Sequence, residues 1–181
     1  MWERCLDDDH VVSRYRSMLE PAAGHVWWTG AVMRSGHGRF WMGCVDGHDL
    51  VVSAHRFAYG LAHGAVALGQ APVVMHLCDE PLCQDPAHLV GGTTEENRRD
   101  WLVRRNDLGS PFRDARGRHG RAMAIRDALL HGGDVSAVFE HGVPDRDWEC
   151  PTLPTLESVS RYVVAPRHCG GDAPHPYGPG V

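Results

Sequence analysis

Short runs of apolar residues, separated by glycine and proline, determine the predicted architecture of this chain. Residues 6–20 place apolar side chains at helical spacing behind a group of acids, so they predict an amphipathic helix that Pro21 stops. Shorter apolar runs bounded by turn residues predict strands. The elements expected next are strands within 25–30, 36–42 and 50–53 and a helix at 54–64 that Gly64 closes. The first part of the chain therefore predicts a small antiparallel sheet beside short helices.

A second series of short elements lies in the middle of the chain. The β-branched run that ends at His76 predicts a strand, and Asp85-Pro86 predicts a turn before a second strand. Thr93 and Glu96 have the spacing of a capping box, which predicts a helix that runs to about Asp107. The predicted unit is strand, loop, strand, helix.

The loop of this unit contains residues with the chemistry of metal ligands. Cys78, Cys83 and His88 recur five residues apart and are flanked by turn formers, so their side chains can converge on one ion. Two thiols and an imidazole suit tetrahedral zinc. A closed structural site needs a fourth ligand, which must come from elsewhere in the chain.

This stretch resembles the ββα-metal, or HNH, endonucleases, and is most similar to their zinc-stapled branch, which includes the His-Cys box homing endonucleases and many phage HNH proteins. The matching pattern is His-x-Cys, a Cys five residues later, Asp-Pro-x-His-Leu, and an Asn in the following helix. Asp85 stands where the family more often has Asn. The resemblance covers roughly residues 25–101.

The resemblance implies an α+β fold built on a ββα-metal, or His-Me finger, core with an N-terminal antiparallel sheet. The divisions expected are an N-terminal helix at 1–24, a nuclease domain at 25–107 with its core at 72–107, and a basic linker, short helices and tail at 108–181. The activity implied is metal-dependent hydrolysis of DNA phosphodiester bonds. A zinc-stapled module that binds nucleic acid without cleaving it is the alternative.

The resemblance also implies roles for individual residues. His76 would be the general base and Asn97 would hold the catalytic Mg²⁺, with Mn²⁺ as its substitute. Arg39 would contact the scissile phosphate, although a surface arginine on a hairpin is an equal interpretation. His55, which opens the helix at 54–64, would be either a structural histidine or a phosphate contact.

The fourth ligand of the structural zinc has two candidates. In the resembled family a Cys commonly stands at the position of His25, so Cys78, Cys83, His88 and His25 form the expected set. Cys44 is the alternative because a thiolate is the better zinc ligand and this residue lies in the next predicted strand.

Charge is distributed unevenly along the chain. The net charge is −5, yet residues 98–121 carry eight arginines against three aspartates. A basic segment directly after the candidate site is typical of a surface that binds a polyanion, whereas its structural alternative is a solvated helix face. The arginines predicted to contact DNA are Arg98, Arg104, Arg105, Arg116 and Arg118.

Composition restricts the cellular setting. No apolar run approaches the length that spans a bilayer, and the six cysteines accompany no signal-like segment. Reduced cysteines are therefore expected, in the cytoplasm of a bacterial or phage-infected cell. All 18 basic residues are arginine, which suggests a GC-rich bacterial or phage genome.

The C-terminal third is less informative. Residues 121–132 and 134–141 predict two short helices, either a helical hairpin that packs on the core or a helix-turn-helix; the hairpin is preferred because the second helix lacks residues that read bases. In the tail, Cys150, His168, Cys169 and His175 offer a second zinc site. The alternative is an arm, for example one exchanged between the subunits of a homodimer.

Overall fold

The structure, a computed structural model, describes residues 1–45, 47–107 and 109–142, and it is a mixed α and β fold with small antiparallel sheets. The helices are α1 (Trp2–Leu6), α2 (Asp9–Arg16), α3 (Ala54–Gln70), α4 (Thr94–Arg104), α5 (Gly117–Leu130) and α6 (Val135–His141). The strands are β1 (Leu19–Ala22), β2 (His25–Trp28), β3 (Arg39–Val45), β4 (His48–Ser53), β5 (Val73–His76) and β6 (Leu89–Gly92). They form three antiparallel pairs, β1 with β2, β3 with β4, and β5 with β6.

The single helix predicted at 6–20 is wrong, because α1 and α2 divide this segment and end before it does. The Asp8 carboxylate caps α2 by accepting hydrogen bonds from the backbone N–H groups of His10 (2.9 Å) and Val11 (3.2 Å). Pro21 does not stop a helix but lies in β1, opposite Val26. Proline is tolerated there because β1 is an edge strand.

An aromatic core joins the N-terminal helices to the strands. Tyr15, Trp28, Phe40 and Phe57 are almost completely buried, and the ring centroids of Tyr15 and Phe57 are 4.9 Å apart. The Tyr15 hydroxyl donates a hydrogen bond of 3.0 Å to the buried side-chain oxygen of Gln84. This contact connects the core directly to the loop that carries the candidate metal ligands.

The helix that was predicted to close at Gly64 continues beyond it. Gly64 has φ 84° and ψ 164°, which breaks the helical geometry as expected for a glycine that closes a helix. The chain then resumes helical geometry up to Gln70 and buries Leu68. Alanine and leucine between these points favour this second segment.

The central unit has the predicted order of strand, loop, strand and helix. The capping box is confirmed, since the Thr93 hydroxyl accepts from the Glu96 N–H and the Glu96 carboxylate accepts from the Thr93 N–H at 2.7 Å. The helix α4 ends at Arg104, three residues before the predicted Asp107, and contains no fully buried residue. It therefore presents much of its surface to solvent.

The basic linker expected after residue 108 is, from Gly117 onward, the first turn of α5. Arg121 is buried there, with its Nε donating to the Glu80 carboxylate at 3.0 Å and its Nη1 donating to Asp114 at 3.1 Å. Ala122, Ile125 and Val135 belong to the core, so α5 and α6 have a packing role. The predicted second zinc site in the tail lies outside the described residues.

Candidate metal centre and cleft

Three separate elements bring together His25, Cys78, Cys83 and His88. His25 begins β2, the two cysteines lie in the loop after β5, and His88 ends a single 3-10 turn at Pro86–His88. One ligand atom from each residue lies within 4.8 Å of the others. The Cys83 Sγ and His88 Nδ1 atoms are 3.5 Å apart. The group therefore has the ligand types and the proximity of a tetrahedral zinc site.

Backbone hydrogen bonds explain why the loop adopts this arrangement. The Asp85 carboxylate accepts from the Ala87 N–H at 2.9 Å, which forms the turn that the Asp-Pro pair predicts, and the Asp85 N–H donates to Cys83 Sγ at 3.4 Å. The Gln84 N–H donates to the carbonyl of Val26 at 2.6 Å. This last bond attaches the loop to β2 and so brings His25 beside the cysteines.

The electrostatics of the group fit a metal ion. Hydrogen bonding to Cys83 holds the pKa of the Cys78 thiol far below its usual range, and burial raises the pKa of the Cys83 thiol. The Nδ1 atom of His25 is buried and has no hydrogen-bond partner. A buried nitrogen without a hydrogen-bond partner costs folding free energy, which a bound metal ion would offset. The thiolate is also the form of cysteine that binds metal. The chain thus contains a His/Cys group that could bind a metal such as zinc.

Of the two candidates for the fourth ligand, the structure places His25 in the group. Cys44 lies on β3 with an exposed side chain and is not part of the group. Because β2 rather than β3 pairs with the loop, the position of the strand, and not the intrinsic affinity of the thiol, decides which residue is near.

A second group of histidines lines a cleft of about 430 Å³ next to the first group. His37 precedes β3, His55 lies in the first turn of α3, and His76 ends β5, and one ligand atom from each lies within 4.8 Å of the others. Burial lowers the pKa of all three imidazoles, that of His37 to about 4. They are therefore neutral at pH 7.

His76 is held by the loop that carries the cysteines. Its Nε2 atom lies 3.0 Å from the backbone carbonyl oxygen of Cys83. A carbonyl only accepts, so Nε2 carries the proton and Nδ1 keeps the lone pair. The first group therefore positions a residue of the second.

Asn97 and three arginines, Arg56, Arg104 and Arg118, also line the cleft. The guanidinium of Arg56 donates to the carbonyl of Pro72 at 3.2 Å, and that of Arg104 donates to the carbonyl of Leu77 at 2.8 Å. The Arg118 guanidinium stacks on the Phe112 ring at 4.8 Å. Asn97 is in the first turns of α4 and is exposed. The cleft thus combines neutral imidazoles with positive charge.

The cleft is also lined by a carboxylate, that of Asp79. Its carboxylate lies 3.0 Å from the Arg104 guanidinium, yet burial raises its pKa to about 7. Asp79 has φ 61°, in the left-handed region that few residues other than glycine adopt. The chain therefore turns sharply directly after Cys78.

Other predicted site residues lie elsewhere. Arg39 is exposed on β3 and is not among the residues that line the cleft. In the predicted DNA-binding set, Arg98 and Arg105 are exposed on and beside α4, where Arg98 pairs with Glu95 and Arg105 stacks on Trp101. Arg116 instead binds Asp114 and the carbonyl of Val138, both at 2.7 Å, so its guanidinium is held within the fold.

Sequence reasoning missed His37 as a site residue. The segment around it predicts a glycine turn, and in the structure a side chain at Gly38 would overlap Trp28. No local spacing connects residues 37, 55 and 76, because their proximity depends on how β3, α3 and β5 pack. The available signal was a histidine at the boundary of each of three predicted elements.

The fold and site define a mixed α and β protein with a His/Cys group suited to a metal ion. The chain is 34% identical to protein 7.7 of Escherichia phage T7 over 112 residues, which cover 62% of this chain and 81% of that protein. The chain belongs to the protein 7.7 family. It is also 36% identical to protein 2.8 of the same phage over 75 residues, or 41% of this chain and 47% of that protein.

No family model and no solved structure matches the chain. Across the described segments, none of the helices combines the length and apolar character that crossing a membrane requires.

Proposed function

We propose that this protein is a metal-dependent DNA endonuclease of the HNH type, in which β5, the Cys/His loop, β6 and α4 form the ββα-metal core. The observation that carries the proposal is the position of His76. Its imidazole is neutral, oriented by the Cys83 carbonyl, and placed in a cleft that Asn97 and Arg118 also line. A fixed base beside an amide and a cation suits hydrolysis of a phosphodiester.

His76 acts as general base in this proposal. Because Nε2 donates to the Cys83 carbonyl, the Nδ1 lone pair takes the proton from a water molecule that attacks phosphorus. The new bond joins the water oxygen to phosphorus, and the bond from phosphorus to the leaving sugar oxygen breaks. General-base action of this kind contributes about 10²- to 10⁴-fold.

Asn97 is the proposed protein ligand of a divalent cation. Its side-chain oxygen suits Mg²⁺, which prefers oxygen ligands, keeps several waters and is often bound through one or two protein groups and substrate phosphates. Mg²⁺, or Mn²⁺ in its place, supplies stabilisation of the charge on the phosphate and on the leaving oxygen. Exposure of Asn97 at the cleft leaves space for the phosphate.

Arg118 takes the phosphate contact that the sequence predicted for Arg39. Its guanidinium lines the cleft and stacks on Phe112, a contact that favours this orientation. A planar guanidinium donates two parallel hydrogen bonds to phosphate oxygens and compensates their charge. The exposed arginines of α4 would contact the DNA backbone on either side.

Zinc has no chemical role in the proposed reaction. His25, Cys78, Cys83 and His88 would bind it and so hold the loop that orients His76. Structural zinc sites contribute on the order of 10 kcal/mol of folding free energy in small domains. The phage relatives support a role in the cytoplasm of a phage-infected cell.

The second candidate function is a zinc-stapled module that binds nucleic acid without cleaving it. The observation that favours it is the exposed surface of α4, in which no residue is fully buried. Arg98 on this helix and Arg105 directly after it are both accessible to a nucleic acid. This function does not explain why the His76 imidazole is held in one orientation in the cleft.

The test is cleavage of supercoiled plasmid by the purified chain, with and without Mg²⁺, in parallel with His76→Ala. A matched control is His10→Ala, since His10 is an exposed histidine on α2. We expect wild type and His10→Ala to nick or linearise plasmid only with Mg²⁺, and His76→Ala to bind DNA without cleaving it. Equal cleavage by His76→Ala would reject His76 as the base, and binding without cleavage by wild type would favour the second function.

A further inference from the structure

We infer that His37, His55 and His76 form a second metal site, selective for a transition-metal ion such as Zn²⁺, and that an ion bound there switches the proposed nuclease off. The binding half of this inference stands independently. The inhibitory half rests on the proposed function, because it needs His76 to be the base.

Geometry supports the binding half. The three residues come from the turn before β3, the start of α3 and the end of β5, and the ring centroids of His37 and His55 are 4.7 Å apart while those of His55 and His76 are 4.8 Å apart. One nitrogen from each ring lies within 4.8 Å of the other two. Nitrogen ligands of one tetrahedral zinc ion lie about 3.4 Å apart, so small movements of the three rings would bring them to the distances of a formed site.

Each ring has a nitrogen available for a ligand. The Nδ1 atom of His55 is buried and has no hydrogen-bond partner. In His76 the Nε2 atom bonds the Cys83 carbonyl, which leaves Nδ1, and in His37 the Nδ1 atom contacts the Ser35 hydroxyl, which leaves Nε2. Among the described residues, the two buried side-chain atoms without a partner are His25 Nδ1 and His55 Nδ1, one in each histidine group.

The ligand types determine which ion binds. Three imidazoles without a thiol or a carboxylate suit Zn²⁺, Co²⁺ or Ni²⁺, whereas Mg²⁺ prefers oxygen. Three protein nitrogens would leave one position of a tetrahedral ion to water or another ligand, as in zinc sites that exchange their fourth ligand. This group is therefore expected to bind more weakly and exchange faster than the Cys/His group.

Inhibition follows from the lone pair of His76. A lone pair that binds an ion cannot accept the proton of the attacking water. Zn²⁺ at this site would therefore stop cleavage even when Mg²⁺ is abundant, and removal of the ion would restore it.

Cobalt distinguishes the two groups. Co²⁺ bound to thiolates has intense charge-transfer absorption in the near ultraviolet, whereas Co²⁺ bound only to imidazoles has weak visible bands. We would add Co²⁺ to the protein as purified, with its first metal retained, and compare wild type with His37→Gln. The control is His63→Gln, because His63 is exposed on α3 and stacks on Tyr59.

We expect wild type and His63→Gln to bind one added equivalent of Co²⁺ with weak visible bands only, and His37→Gln to lose at least tenfold in affinity. Failure of wild type to bind it, equal binding by His37→Gln, or thiolate bands would each overturn the second site. These outcomes do not depend on nuclease activity.

The inhibitory half is tested by the ratio of Mg²⁺-dependent cleavage with and without an added equivalent of Zn²⁺, measured within each variant. We expect this ratio to fall at least tenfold in wild type and to stay near one in His37→Gln. Equal inhibition of both, or cleavage supported by Zn²⁺, would overturn the inhibitory half. Absence of any cleavage would reject the proposed function, while the cobalt spectra would still decide whether the site exists.

Discussion

The protein has two groups of candidate metal ligands, which come close in the chain at residues 76–78 but differ in chemistry. The Cys/His group consists of His25, Cys78, Cys83 and His88, and the imidazole group consists of His37, His55 and His76. His76 and Cys78 are two residues apart, yet each belongs to a different group, and the chain turns sharply directly after Cys78. The Cys/His group joins a buried loop to β2 and includes the fully buried Cys83. The imidazole group lies along a cleft. Thiols with buried surroundings suit a closed structural site, and neutral imidazoles that line a cleft suit chemistry or exchange.

The surroundings of the two groups strengthen this difference. Behind the Cys/His loop, Glu80 forms a buried ion pair with Arg121, so α5 is fixed to the loop. In front of the imidazole group, Arg118 and Asn97 reach the cleft from elements with exposed faces. The side of the loop that faces α5 is therefore held by buried contacts, and the side that faces the cleft is accessible to a ligand.

The largest effect that would separate the groups is expected from Cys83→Ser. Loss of one buried thiol should release a metal bound by the Cys/His group and destabilise the unit from β5 to α4, because structural zinc sites contribute on the order of 10 kcal/mol. Metal content measured by mass spectrometry and thermal unfolding followed by circular dichroism would show both losses. Cys44→Ser is the control, since Cys44 is exposed on β3 and should leave both quantities unchanged.

If Cys83→Ser kept its metal and its melting temperature, the Cys/His group would not be a structural site. If Cys44→Ser lost metal instead, the fourth ligand would be Cys44 rather than His25.

The next effect concerns the imidazole group. His76→Ala should reduce Mg²⁺-dependent cleavage by about 10²- to 10⁴-fold, because it removes the proposed general base. Metal content should remain at the wild-type level, with a modest loss of stability of about 1–3 kcal/mol, since the Cys83 carbonyl loses its partner. Cleavage rates, metal content and unfolding free energies would be measured together. Release of the structural metal by this variant would place His76 in the Cys/His group.

The sequence predicted the local features of both groups better than their assembly. The capping box at Thr93, the Asp85-Pro86 turn and the convergence of Cys78, Cys83 and His88 depend on neighbouring residues, and the structure contains all three. The position of His37 and the exclusion of Arg39 from the cleft depend on how strands from distant parts of the chain pack. Such contacts leave no spacing in the sequence.

The basic segment shows the same limit in another form. Its charge predicted an exposed surface, but two of its arginines form ion pairs within the fold. Arg116 pairs with Asp114, and Arg121 pairs with both Glu80 and Asp114. A count of charges in a segment cannot distinguish an arginine that is exposed to solvent from one that pairs with a buried carboxylate, because the carboxylate can come from a distant part of the sequence.

A smaller effect is expected from Asn97→Ala. Cleavage should fall by less than in His76→Ala, and higher Mg²⁺ should restore part of it, because the proposed role of the amide is to hold the ion and not to transfer a proton. Rates over a Mg²⁺ titration would reveal a shift in the metal concentration at half-maximal activity. A lower plateau with no shift would assign Asn97 to a step other than metal binding.

The smallest effect tests which arginines meet DNA. Replacing Arg98 and Arg105 together with Gln should lower the slope of log affinity against log salt by about two at most, because each exposed guanidinium would neutralise one phosphate. Arg116→Gln is the control, since its guanidinium is bound to Asp114 and the Val138 carbonyl and should affect stability while leaving the slope unchanged. Fluorescence anisotropy on DNA of unrelated sequences would measure both slopes. A slope that changes for Arg116→Gln but not for the double variant would place the DNA backbone against the start of α5, from which Arg118 lines the cleft, rather than against α4.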